Sequence, residues 1–350
     1  MHRDARILLV RLSAMGDVLQ SLTALATLRH ARPDATIGWL VEDRHADLLR
    51  GHPHVDELFI YRRRDLRGGG ALAVLRKLRR ELRAFAPDVA VDLQGNLKGA
   101  LLSRLSGAPR RIGLPPGEAR EGAHLAATET VAAGAVREHR SDRALRLVAP
   151  LLEGATPKAT PTLAPLPDGV AERVAGELAG FDRPPALLVP GTSEFGRFKR
   201  WPAPAFGRLA VRLRDELGLP VCVTAGPGED ELADAVVQAS DGAAVRAPAT
   251  GSLHDLRALF EQAAVVVGAD SGPVLLSALT GTPTVALFGP KDPLVYGPLG
   301  PRAAAVWKRV YCSPCALRRC PDPICMSELT PDEVWPTVLR VLQTAQEDAA

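Results

Sequence analysis

The chain has 350 residues, 46% of them apolar and only 4% aromatic, with 43 Lys and Arg against 40 Asp and Glu for a formal net charge of +3. That length exceeds one ordinary core and suits two domains whose interiors are built from Leu, Val and Ala. No apolar run approaches the ~20 residues that span a bilayer, and Arg11 cuts the first short one off, so we expect no signal peptide and a cytoplasmic protein.

The charge is unevenly placed. Residues 1–150 hold 25 Lys and Arg and 17 Asp and Glu, a balance of +8, whereas residues 151–350 hold 18 and 23, a balance of −5. A basic first half suits an anionic partner such as phosphate groups or an acidic lipid head. Nucleic acid is not expected, because no recognised binding motif accompanies the charge.

Residues 6–11 read as a strand whose apolar run ends at Val10, and apolar residues at Val18, Leu19, Leu22, Leu25 and Leu28 predict a helix over 18–31. Asp17 falls where the strand's carboxyl end hands over to that helix, the edge at which open α/β sheets bind ligands. A carboxylate there suits acid–base work. It equally suits an N-cap that accepts from free backbone N–H groups, and the local sequence leaves both roles open. Further strands are predicted at 36–41, 57–61, 88–93 and 110–112, with helices at 71–85 and 96–106. A basic cluster, Arg62, Arg63, Arg64 and Arg67, follows the strand at 57–61. A second, Arg76 to Arg83, has helical spacing and reads either as a solvated helix face or as an anion-binding surface.

The proline-rich stretch from about 152 to 168 is aperiodic and reads as a linker between domains 1–165 and 166–350. Beyond it the alternation restarts. Strands are predicted at 186–189, 220–225, 264–268 and 284–288, and helices at 203–217, 229–239, 253–263, 273–280 and 331–345, the last free to pack back on the first domain. Strands followed by Ala/Leu-rich helices make the fold class α/β. Two such halves joined by a linker would face each other across a cleft.

Three loops of the second half follow predicted strands. Thr192 and Ser193 carry hydroxyls and Lys199 and Arg200 carry cations, a set suited to a diphosphate. Glu229 suits ribose hydroxyls, although an acidic first turn also simply favours the helix dipole. Asp270-Ser271-Gly272-Pro273 opens a helix and reads either as a plain helix start or, through its free N–H groups, as an anion site. Asp270 is suited to capping that helix or to binding a sugar hydroxyl. There is neither a Gly-x-Gly-x-x-Gly after the first strand nor a Walker loop, which speaks against dinucleotide oxidoreductases and P-loop NTPases. Four of the five cysteines, Cys312, Cys315, Cys320 and Cys325, fall close together, but their spacing is not that of a zinc ribbon. We expect no structural zinc or iron–sulfur cluster there, and no disulfide.

Taken in order, Ser13-Ala14-Met15-Gly16-Asp17, Asp92 to Lys98, Pro190 to Pro202, Asp270 to Pro273 and Phe288 to Pro293 resemble family 9 glycosyltransferases, the ADP-heptose–lipopolysaccharide heptosyltransferases. The loop at 190–202 is most similar to the second-heptose branch. The resemblance implies a GT-B fold of two Rossmann-like domains facing across a cleft, acceptor on the first and nucleotide sugar on the second. It implies inverting, metal-independent transfer of a heptose from ADP-heptose to the lipopolysaccharide inner core, with no cofactor. Asp17 takes the place of the family's general base, and Lys199 that of its donor-loop lysine. Thr192, Ser193, Arg200, Glu229, Asp270, Ser271, Gly272 and Pro273 fall to the donor. Ser13, Met15, Gly16, Arg62, Arg63, Arg64, Lys98 and Arg120 fall to an acidic glycolipid acceptor. The implied protein is a monomer that touches the inner leaflet of the inner membrane. The chain departs from the pattern at Leu275, where the family usually has His. Leu275 keeps open a same-fold transferase using another nucleotide sugar for a surface polysaccharide. A degenerate protein that only binds nucleotide or glycolipid is the other alternative.

Overall fold

A computed structural model describes the whole chain except residues 1–3, 67–69, 153, 155, 156, 316, 318, 349 and 350. It separates into two compact units, Met1–Pro165 and Leu166–Ala350. The proline-rich stretch crosses that boundary, and Glu153, Ala155 and Thr156 within it, like Arg67 of the first basic cluster, lie outside the described residues.

The first unit contains β1 (Arg6–Val10), α1 (Met15–Ala31), β2 (Thr36–Glu42), β3 (Glu57–Tyr61), α2 (Ala71–Phe85), β4 (Val89–Asp92), α3 (Leu97–Leu105), β5 (Arg110–Gly113), β6 (Glu129–Thr130) and α4 (Arg140–Val148). Its strands are all parallel, in the order β3-β2-β1-β4-β5-β6. β1 and β4 are covered on both faces, so they read as continuous apolar runs. On α2, Leu78, Leu82 and Phe85 face the core, Phe85 meeting Phe59 edge-on at 5.3 Å. Arg76, Lys77, Arg79, Arg80 and Arg83 line its exposed side.

The second unit contains α5 (Val170–Leu178), β7 (Ala186–Val189), α6 (Ala203–Leu217), β8 (Val221–Val223), α7 (Asp230–Gln238), β9 (Ala244–Arg246), α8 (Leu253–Glu261), β10 (Val265–Ala269), α9 (Gly272–Leu279), β11 (Thr284–Phe288), α10 (Pro293–Tyr296), β12 (Ala303–Trp307), α11 (Ile324–Ser327) and α12 (Pro331–Glu347). Its parallel order is β12-β11-β10-β7-β8-β9. Numbered from its own first strand, this is the same doubly wound order as the first unit. α12 lies on β10, β11, β12 and α6. Its buried residues Val334, Trp335, Val338 and Val341 belong to the core of the second unit.

In each sheet the strand order reverses once, between β1 and β4 and between β7 and β10. Loops leaving the carboxyl ends of such a pair diverge to opposite faces and open a crevice for ligand. In register, Val10 lies between Leu40 and Asp92, and Gly268 lies between Val189 and Ala286. The loops starting at 11, 93, 190 and 270 therefore occupy the two crevices. Among the described residues no helix is long and apolar enough to cross a membrane.

Candidate active site

α1 begins at Met15, earlier than the apolar periodicity predicts, because Ala14 is extended and serves as its N-cap position. Asp17 is thus inside the first helical turn rather than at the cap. Its Oδ2 accepts a long bond of 3.4 Å from the Ala14 N–H, and its Oδ1 pairs with Arg11 Nη2 at 2.7 Å. The carboxylate remains about one-third exposed, whereas Arg11 beneath it is buried and also donates to the Leu93 carbonyl. Burial pulls the Arg11 guanidinium below its ordinary value; Asp17 opposes this, and the nearby charges of Arg140 and Arg120 reinforce it. The strand-end reading of Asp17 missed Arg11, which had served only to end an apolar run.

A second shared element holds this loop. Gln94, in the turn after β4, accepts from the N–H groups of Leu12 (2.9 Å) and Ser13 (3.2 Å). That turn is in turn fixed by Asp92, whose Oδ1 accepts from Gln94 N–H (3.0 Å) and Gly95 N–H (3.1 Å). Burial pushes the Asp92 carboxyl up from 3.8 to about 6, against the pull of those amides and of Arg11. Between those two values the folded protein holds a proton that the unfolded chain has released, so the ionised carboxylate weakens the fold above pH 6. Asp92→Asn keeps an acceptor for both amides and removes the charge. It is expected to stabilise the protein by up to about 3 kcal/mol at pH 8, the gain shrinking as pH falls through 6 and vanishing below 3.8. Urea unfolding of both proteins from pH 4 to 8 checks this, and a pH-independent difference would contradict it.

The remaining acceptor candidates lie at the same sheet edge. Ser13 precedes α1, and Met15 and Gly16 form its first turn. Asn96 caps α3 by accepting from Gly99 N–H (3.1 Å), which places Lys98 in that helix's first turn. Lys98 Nζ sits 5.3 Å from the Tyr61 ring centre and 4.0 Å from Glu42 Oε2. Arg62 and Arg63 follow β3, Arg63 reaching Glu42 at 3.7 Å, and Arg64 opens a short 3-10 helix. Arg120 is exposed, and its backbone N–H bonds the Gly95 carbonyl at 3.0 Å.

In the second unit, Ser193 precedes a 3-10 helix over Glu194–Lys199. The loop continues into Trp201, which is buried, meets Phe206 edge-on at 4.8 Å and donates from Nε1 to the Leu329 carbonyl at 2.8 Å. This anchor sets two adjacent cations. Lys199 Nζ bonds Asp270 Oδ2 at 2.7 Å, and Arg200 donates to Thr192 Oγ1 at 3.2 Å while lying 3.6 Å from Glu229 Oε1. Glu229 Oε2 also accepts from the Gly226 N–H at 3.0 Å.

Asp270 is therefore committed to Lys199 rather than to capping, and Ser271 is the N-cap residue of α9. The buried Ser271 hydroxyl has no hydrogen-bond partner among the described residues. Gly272 and Val274 present first-turn N–H groups there, but Pro273 adds no donor, since its ring nitrogen carries no hydrogen; it fixes the turn instead. Leu275, 7% exposed, follows on the same helix.

Within the cysteine-rich segment, Cys325 is buried, Cys312 exposed, and Cys315 and Cys320 half-buried. Burial, helped by the other three, pushes the Cys325 thiol up to about 11. Among the described residues no group of three or more His, Cys, Asp or Glu is placed to hold a metal.

Both crevices thus gather loop cations and carboxylates at the carboxyl edge of a parallel sheet. Residues 75–324 match glycosyltransferase family 9 (heptosyltransferase). Lipopolysaccharide heptosyltransferase 1 of Pseudomonas aeruginosa is 28% identical to the chain over 94% of it and 96% of the relative. A family 9 glycosyl transferase of Veillonella parvula superposes with a TM-score of 0.82 at 21% identity, covering 98% of this chain and 99% of that one. Escherichia coli heptosyltransferase WaaC, solved with ADP, superposes with a TM-score of 0.76 at 25% identity, covering 96% and 99%. The two parallel α/β sheets match these GT-B heptosyltransferase structures, and the chain belongs to glycosyltransferase family 9.

Proposed function

We propose that this enzyme transfers a heptose from ADP-heptose to an acidic inner-core lipopolysaccharide acceptor, with inversion and without a metal. The observation that carries the reading is Asp17: a carboxylate about one-third exposed at the β1/β4 crevice and paired with the buried Arg11. Asp17 takes the proton of the acceptor hydroxyl as that oxygen attacks the anomeric carbon from the face opposite the diphosphate. Lys199, Arg200, the Ser271 hydroxyl and the Gly272 and Val274 amides receive the charge that develops on the departing ADP. These cations and amides supply the charge stabilisation a metal provides elsewhere, and Glu229 accepts from the ribose hydroxyls. In this reading the first unit binds the acceptor, the second binds the nucleotide sugar, and the enzyme works as a monomer against the inner leaflet.

Incubation with ADP-heptose and a heptose-deficient lipopolysaccharide core, read by mass spectrometry, tests the proposal. One added heptose in the presence of EDTA is the expected product, and proton NMR of its anomeric centre is expected to show the inverted configuration. No added mass would overturn it.

Leu275 favours a second reading, transfer from a different nucleotide sugar, because an apolar side chain there offers the sugar no hydrogen bond. A panel of nucleotide sugars separates the two.

The ribose role of Glu229 has its own check. A Cβ on Gly191 would fall 2.0 Å from Glu229 Oε2. That oxygen ends a flexible side chain, so the fold yields easily and the carboxylate is displaced. Gly191→Ala is expected to weaken ADP binding about tenfold, with melting temperature little changed. Calorimetric titration with ADP measures it.

A further inference from the structure

We propose that Glu42 is a positioning residue of the acceptor site, and that Arg44 joins Arg63 and Lys98 around its carboxylate to take an anionic group of the acceptor, a carboxylate or a phosphate. The inference rests on the acceptor reading above and extends it to two residues outside the family motifs.

Glu42 ends β2, and its N–H bonds the Leu12 carbonyl at 3.1 Å, beside the loop that bears Asp17. Its side chain is only 2% exposed. Three cations from three separate elements converge on it. Arg44 Nε (3.3 Å) and Arg63 Nη1 (3.7 Å) share Oε1, and Lys98 Nζ lies 4.0 Å from Oε2. Oε2 is buried and has no hydrogen bond among the described residues. The cations are open to water, with 53% of each arginine side chain and 34% of the lysine side chain exposed.

A buried carboxylate beneath a ring of open cations is a poor device for stability. Buried ion pairs seldom outperform apolar residues of the same size, and here the lysine stays beyond hydrogen-bond length and one oxygen goes unbonded. The arrangement has a different effect. One negative charge draws together three positive ones that would otherwise repel, and leaves a surplus of positive charge on their outer side. Arginine forks at such a place suit a planar carboxylate or a phosphate. Glu42 therefore acts through the cations and does not itself meet the ligand.

The test compares wild type with Glu42→Gln, Glu42→Asp and Arg44→Gln in the transfer assay, with KM measured separately for acceptor and ADP-heptose. Glu42→Gln and Arg44→Gln are expected to raise acceptor KM about tenfold, with donor KM and kcat within threefold of wild type. Glu42→Asp, which keeps the charge, is expected to recover most of the loss. An acceptor KM that is unchanged or lowered in both glutamine variants, or a donor KM that rises in parallel, overturns the proposal. Should Glu42→Gln fail to fold, the solvent-open Arg44→Gln decides it alone. Should wild type transfer no heptose, the functional reading fails. Titration of the same proteins with the lipopolysaccharide core alone then decides the cradle: weaker binding by Arg44→Gln supports it, and equal binding overturns it.

Discussion

Asp17→Asn is expected to lower heptose transfer by between about 100- and 10,000-fold while ADP affinity stays within twofold. The asparagine is nearly isosteric and keeps an oxygen for the Ala14 N–H, so the start of α1 should persist. What disappears is the proton acceptor. Arg11, buried beside it, is left without its anionic partner, and that loss acts on stability rather than on the nucleotide, whose proposed contacts all lie in the second unit. Steady-state transfer and ADP titration on the same preparation separate the two effects. Turnover near wild type would remove Asp17 as the base, and a parallel loss of ADP binding would show that the substitution had damaged more than the acceptor side.

The second large effect is expected at Lys199. Lys199→Met removes a cation from the departing diphosphate, a change expected to lower kcat by about 100- to 1,000-fold. It also strands Asp270, whose side chain is 9% exposed. An unpaired carboxylate at that depth costs about 2–3 kcal/mol, toward the lower end because the Lys199 side chain is 22% open to water. The double variant Lys199→Met with Asp270→Asn separates the two losses. Stability should return, because no charge is left uncompensated, whereas kcat should not. Recovery of turnover in the double variant would mean that Lys199 matters only as a counter-ion.

The elements legible in the sequence are those whose burial is two-sided. β1, β4, β7, β10 and β11 are apolar runs closed by turn residues, and that pattern carries its own boundary. β6 and β9 are short strands at the sheet edges that leave no comparable run, and β12, although apolar throughout, is only half-buried at its edge and is rich in Ala rather than β-branched residues. α4, with the composition Arg-Ser-Asp-Arg-Ala-Leu-Arg-Leu-Val, is too polar to announce itself, yet it packs on α1. Loop residues at strand ends were legible for a topological reason, since chemistry in this architecture gathers there. Their partners were not. Arg11 meets Asp17 across a turn, Gln94 reaches Leu12 and Ser13 from the neighbouring strand, and Glu42 gathers cations from three elements. The contacts of Gln94 and those of Arg63 and Lys98 with Glu42 depend on sheet order and register, whereas Arg11–Asp17 and Arg44–Glu42 are local and depend on how the turn after each strand folds. The helix start at Met15 was misplaced for a related reason. Ala14 takes the cap position by backbone conformation alone, without the side-chain acceptor that usually signals one.

The bond from Trp201 to Leu329 bears on the order in which the enzyme comes into being. The first unit draws on residues up to Pro165, including α4 against α1, and all of these precede the second unit in the chain. The loop bearing Lys199 and Arg200 has to wait for a residue more than a hundred positions downstream, and for α12, which completes the same core. A nascent chain that has not yet delivered Leu329 therefore carries a finished Asp17 and an unfinished nucleotide grip. Under the proposed function, such a fragment would present the candidate base before the candidate nucleotide loop is anchored.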